Sequence, residues 1–137
     1  MKKLILGMLL TVSLLYANNL KVEITNILNQ KGQISIGLYN KNDSTFSDMS
    51  QYYKGKHLNI SDNKITYTFK NVPNGIYAIS VIHDENKNKK LDKNFFGIPT
   101  EGYGFSNNIR PTFRGASFEE SKFELYSDKD IVINLGY

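Results

Sequence analysis

Oxygen-bearing side chains recur at every second position in one stretch of this chain: Asp84, Asn86 and Asn88, with Asp92 following. That spacing suits calcium. The ion takes about six to eight oxygens, and a tight loop can supply them at positions one, three, five, seven (through a backbone carbonyl) and nine. With Asp84 as position one, Lys90 puts its carbonyl at seven and Asp92 falls at nine. Two positions depart from the pattern. Position six is Lys89 rather than the glycine that eases the sharp turn, and position twelve is Phe95 rather than a bidentate glutamate. Glu101 could supply that carboxylate if the chain folds back. Lys87, Lys89, Lys90 and Lys93 outnumber Asp84, Glu85 and Asp92, four against three, so the stretch carries a net +1 unless the lysines point outward. The reading is Ca2+ held by Asp84, Asn86, Asn88, Lys90, Asp92 and Glu101. Its competitor is a solvated turn in which Asp and Asn cap their own backbone.

The same excursion continues as Gly97-Ile98-Pro99-Thr100-Glu101-Gly102-Tyr103-Gly104-Phe105-Ser106-Asn107-Asn108. Loops this long without strand alternation tend to be functional or disordered. Phe95, Phe96, Ile98, Tyr103 and Phe105 are too many large apolar residues for disorder. Tyr103 and Phe105, with Asn107 and Asn108 as hydrogen-bonding neighbours, are candidates for a ligand or partner surface. The alternative is that the two aromatics plug an open end of the core.

Catalysis would have to use His83, Asp84, Glu101 and Ser106. Serine chemistry needs a nucleophile, a base and an orienting acid together, yet Ser106 lies in Gly-Phe-Ser-Asn-Asn, which is no nucleophile elbow. His83 ends an apolar run, where a structural histidine is expected, and His57 lies in a separate polar turn. Two histidines and no cysteine are poor material for zinc. No catalytic residue is assigned.

The elements that must position these residues read as strands. Leu20, Val22 and Ile24 alternate with polar residues; so do Ile34, Ile36 and Leu38, then Ile65, Tyr67 and Phe69, then Ile131, Ile133 and Leu135. Ile76 to Ile82 is apolar on nearly every position after an Asn74-Gly75 turn, as a central strand would be. Lys122 to Tyr126 gives a sixth strand, and Ser44 to Tyr53 could form one short helix. The expected fold is all-β: a single immunoglobulin-like or transthyretin-like antiparallel β-sandwich of six or seven strands, with one long ordered loop between Asp84 and Ala116.

The first seventeen residues look like a secretory leader: Lys2 and Lys3, an apolar run Leu4 to Leu15, then Ala17. The run is shorter than the roughly 20 residues a spanning helix needs. Residues 1–17 are therefore expected to be a signal peptide and 18–137 the β-sandwich domain, exported to the periplasm or secreted. No stable membrane insertion is expected after cleavage. Taking Lys2 and Lys3 from the formal +4 leaves +2, scattered along the chain, so nucleic acid is not an expected partner. With no cysteine, the domain has no disulfide and no lipid-modified cysteine.

The run His-Asp-Glu-Asn-x-Asn-x-x-Leu-Asp, followed by Gly-Ile-Pro-x-Glu-Gly-Tyr-Gly-Phe-Ser-Asn-Asn, resembles the signature of a family of small exported bacterial proteins catalogued as a domain of unknown function. The resemblance spans essentially all of residues 18–137. It implies an exported sandwich and brings no activity. The family usually has glycine where this chain has Lys89, and commonly lysine where it has Thr100. The resulting expectation is a non-catalytic, calcium-stabilised module presenting its polar and aromatic loop to an envelope protein or a small ligand. Two alternatives stand beside it: a hydrolase-like enzyme using His83, Asp84 and Glu101, and a structural component of an envelope assembly joined through a sheet edge.

Overall fold

A computed structural model describes residues 16–137; the expected leader lies, apart from Tyr16 and Ala17, outside the described residues. Alternating side chains build two sheets. Among the described residues the strands are β1 (Ala17–Thr25), β2 (Gln33–Tyr39), β3 (Lys54–Asn59), β4 (Ile65–Pro73), β5 (Gly75–Asp84), β6 (Tyr103–Phe105), β7 (Phe123–Leu125) and β8 (Lys129–Asn134), with a 3-10 turn at Ser106–Asn108 and one short α-helix, α1 (Phe118–Ser121). One sheet has the order β4-β1-β8. The other runs β3-β2-β5-β6, with β7 also pairing to β5. The β-sandwich is thus the architecture observed.

Leu20, Val22 and Ile24 of β1 face Ile34, Ile36 and Leu38 of β2 and Tyr77, Ile79 and Val81 of β5 in one buried cluster, joined by Phe69, Val72, Leu125, Ile133 and Leu135. Apolar burial of this kind is the main favourable term of folding. From Tyr77 onward every residue of β5 is buried. Its odd-numbered side chains enter the core between the sheets. The other face of the sheet is covered by a second cluster of Tyr39, Phe46, Ala78, Phe105, Ala116 and Phe118. The long excursion after Asp84 is therefore a third layer laid over β5.

Three details differ from the alternation-based expectation. First, β1 and β8 run parallel, in register Val22↔Ile131, whereas β1 and β4 are antiparallel. A parallel pair needs a long crossover between its strands, and here the whole fold lies between them. Second, the described residues form eight strands. β3 and β6 lack apolar alternation: β3 is a half-buried edge paired to β2, and β6 is three residues long. Third, Ser44 to Tyr53 is a run of turns rather than a helix. Asp43 and Asp48 accept from the backbone N–H groups of Thr45 and Ser50, each at 2.9 Å or less, and Ser47 adopts φ 71°. Such Asx turns compete with helical bonding and win here. Phe46 and Met49 are still buried by the segment.

Candidate functional site

β5 delivers Asp84 at its last position, fully buried, and the chain then turns around that carboxylate. Oδ1 accepts from the backbone N–H of Asn88 at 3.1 Å. Oδ2 accepts from the backbone N–H of Lys89 at 2.8 Å and from Gln33 Nε2 at 3.1 Å. To make that turn, Lys87 and Lys89 take up φ 59° and φ 63°. Lys89 thus has the left-handed backbone for which a glycine is the usual residue at position six. The four lysines of the turn, Lys87, Lys89, Lys90 and Lys93, are all exposed.

Asp92 closes the turn. Its Oδ2 accepts from Asn86 Nδ2 at 2.6 Å and its Oδ1 from Asn88 Nδ2 at 2.7 Å. From Asp92 the chain runs out and back as a short hairpin. Thr100 N donates to Asp92 O at 2.9 Å and Asn94 N to Ile98 O at 2.8 Å. The Asn94 side chain accepts from the N–H groups of Phe96 and Ile98, and Gly97 turns the tip at φ 76°. The return brings Glu101 against the turn, almost fully buried. Its Oε1 accepts from Glu85 N at 3.0 Å and its Oε2 from Asp92 N at 3.1 Å, so one carboxylate ties the two ends of the turn together. Burial pushes the Glu101 carboxyl above its usual range; the neighbouring Asp92 and Asp84 charges add to this, and the two backbone N–H groups oppose it.

The Asp84–Glu101 donors fit a hard cation by type. They are carboxylates, carboxamides and a carbonyl, and Asp92 is met by two carboxamide N–H groups that would present oxygen instead if each amide turned over. As placed, they do not form a finished metal centre: among the described residues no group of three or more His, Cys, Asp or Glu side chains is arranged to hold a metal ion, Asp84, Asp92 and Glu101 included.

The other candidates are placed as follows. Phe105 is buried in the second cluster and Tyr103 is half-buried beside it. Asn107 donates to the carbonyls of Glu120 and Lys122; Asn108 donates to Val132 O and accepts from Asn134 N. Both carboxamides thus fasten the excursion to the body, in left-handed conformations at φ 64° and 51°. His83 is fully buried: Nε2 donates to Lys31 O at 2.9 Å, and Nδ1 meets the Tyr137 hydroxyl at 2.7 Å. The Ser106 hydroxyl accepts from Ile79 N at 2.9 Å and donates to Ser121 O at 2.5 Å. Neither His83 nor Ser106 bonds to Glu101. His57 bonds Ser35 Oγ at 2.8 Å; burial and the Lys89 charge lower its pKa against the Asp84 charge, and it bonds to no carboxylate of the turn.

A groove of about 720 Å³ opens between the 92–100 hairpin, β6 and residues 110–115. Phe96, Ile98, Tyr103 and Phe113 line it together with Lys93, Arg110 and Arg114. The Arg110 guanidinium lies 4.1 Å over the Tyr103 ring and donates to Tyr103 O at 3.1 Å; Arg114 pairs with Glu120 at 2.6 Å. Arg110, Phe113 and Arg114 were not among the sequence candidates. They stand in a segment with neither alternation nor ligand spacing, and only the fold brings them beside Phe96.

Fold and site define a small β-sandwich with a structured excursion packed over one sheet. The chain belongs to the family described as "Uncharacterized protein conserved in bacteria (DUF2141)", whose model matches residues 22–134, from within β1 to the last residue of β8. No curated protein and no solved structure matches it.

Proposed function

We propose that the chain is an exported, non-catalytic recognition module. In this reading the Asp84–Asp92 turn binds Ca2+ and thereby fixes the hairpin and groove that meet an envelope protein or small ligand. The observation that carries it is the Glu101 carboxylate, bonded at once to Glu85 N and Asp92 N. A buried acid closing a turn already rich in oxygens is well disposed to accept a dication, which would relieve the crowding of Glu101, Asp92 and Asp84. Asp84, Asn86, Asn88, Asp92, Glu101 and the Lys90 carbonyl would be its ligands. Binding is favoured over catalysis because both ring nitrogens of His83 and the hydroxyl of Ser106 are engaged in structural bonds.

The test is a thermal melt in calcium and in chelator. Stabilisation by a bound ion grows with its concentration, reaching about 2.7 kcal/mol at a hundredfold excess over Kd. The midpoint should rise with calcium, return with chelator, and lose its calcium response in Asp92→Ala and in the milder Asp92→Asn. Identical melts with and without calcium would remove the metal from the reading.

A further inference from the structure

We infer that the 92–100 hairpin tip and the neighbouring 110–115 segment form a docking surface for an anionic lipid bilayer. This rests on the recognition-module reading and assigns the same hairpin and groove a lipid surface in place of a protein or small molecule. Phe95 is 96% exposed, Phe96 81%, Ile98 58% and Phe113 98%. Elsewhere the exposed large apolar residues are single side chains such as Leu28, Ile76 and Val132, which is ordinary for a protein surface. Here they are clustered: Phe96, Ile98 and Phe113 line the same groove, and Phe95 packs edge-on against Phe96 at 5.5 Å. The rings are also held outward. Asn94 and Gly97 fix the hairpin tip through backbone bonds, so the tip does not need to fold on contact.

The charge around them selects the partner. Lys93, Arg110 and Arg114 line the groove, and no Asp or Glu side chain does. Among the described residues Lys93 and Arg110 have no ion-pair partner. Exposed Lys87, Lys89 and Lys90 stand on the adjoining turn, where Asp84 and Glu101 are buried and Glu85 and Asp92 half-buried. Apolar tips within a basic rim suit the membrane interface, where rings enter the acyl boundary and cations meet anionic headgroups. A small ligand in the groove would leave Phe95, which does not line it, in water. A bilayer covers all four residues at once. No helix among the described residues is long and apolar enough to cross a membrane.

The experiment uses residues 16–137, which contain every strand described and both apolar clusters and leave out the apolar run Leu4 to Leu15, which would itself bind lipid. Co-sedimentation with phosphatidylcholine vesicles containing phosphatidylglycerol should show binding that weakens with salt and falls sharply on pure phosphatidylcholine. The Phe95→Ser/Phe96→Ser variant and Phe113→Ser should each bind at least roughly tenfold more weakly, with melting points close to the parent. Ile76→Ser, at an exposed apolar residue that does not line the groove, should bind as the parent does. Because the chain has no tryptophan, Phe96→Trp supplies a single fluorophore whose emission should shift to the blue on vesicles. Equal sedimentation of parent and Phe variants overturns the inference, as does Phe-dependent self-association without lipid, which would assign the tip to a second copy. A calcium-dependent melt with no vesicle binding overturns the docking surface alone. Vesicle binding with no calcium response removes the metal and leaves the surface standing.

Discussion

Lys89 occupies a conformation that suits it poorly. Its φ of 63° costs a residue with a Cβ roughly 1–2 kcal/mol relative to its ordinary right-handed region, and its neighbours hold it there because its N–H is bonded to buried Asp84 at 2.8 Å. Lys89→Gly should therefore stabilise the protein by about 0.5–1 kcal/mol, part of the relief being offset by the freedom glycine gains when unfolded. Lys89→Ala keeps the Cβ and should give no such gain, so paired melts separate backbone relief from loss of charge. Glu101 supplies a second residue-level expectation. Its carboxyl is raised in the folded protein by burial first, so between the usual glutamate value of about 4.3 and the folded value the native state binds more protons than the unfolded one. Stability measured in chelator should then fall as pH rises through that window. Glu101→Gln should flatten the slope, and a melt that stays level across the window in the parent would contradict the assignment. The alternating oxygens of this turn were legible in the sequence because they are local. Its closure by Glu101 was legible only as a possibility, because it depends on the 92–100 hairpin folding back.

At the scale of elements, the sandwich is latched at one edge by the residues after β8. Tyr103 and Gly136 exchange two backbone hydrogen bonds of 3.0 Å, joining β6 of one sheet to the strand end of the other. Tyr137 then reaches back over Gly102, where a Cβ would meet its ring at 2.4 Å, and its hydroxyl accepts from Leu28 N at 3.3 Å and meets His83 Nδ1 at 2.7 Å. Tyr137→Phe removes that hydroxyl from a buried imidazole and should cost about 1–3 kcal/mol, the usual penalty for orphaning a buried polar group. Chemical denaturation would measure it. A loss near zero would mean that water replaces the hydroxyl at His83. Elements of this kind leave little trace in sequence. β6 is legible neither by alternation nor by length, and β3, reading Lys-Gly-Lys-His-Leu-Asn, is a strand only because β2 pairs with it. In contrast, α1 carries a readable signal that strand periodicity obscured. Ser117 and Glu120 form a reciprocal capping box, and a serine three residues before a glutamate ahead of an apolar position is its usual sign.

Across the whole molecule, β5 is where the layers meet. The run from Ile76 to Ile82, apolar at every position but Ser80, made its central place legible, since a strand covered on both faces has no polar side to alternate with. What covers its second face was not legible, because Phe105, Ala116 and Phe118 come from 21 or more positions beyond its end, with turns between that follow no period. This arrangement makes a definite expectation for local opening. The amides of Ile79 and Val81 lie in a strand paired to β2 and β6 and buried on both faces, so their hydrogens should exchange only through global unfolding. The amides of Tyr103 and Gly104 should be nearly as slow, because the excursion is held to β5 by Ser106 as well as by β6, to the Glu120 and Lys122 carbonyls by Asn107, and by the Phe46–Phe105 and Phe46–Phe118 contacts. The amides of Lys93 and Phe95, at the exposed hairpin tip, should exchange orders of magnitude faster without the rest opening. If the excursion from Tyr103 to Phe118 instead exchanges as quickly as the tip, the second cluster is not a layer of the native fold. β5 would then have to find another cover, such as a partner, for the face that carries Ala78 and Ser80.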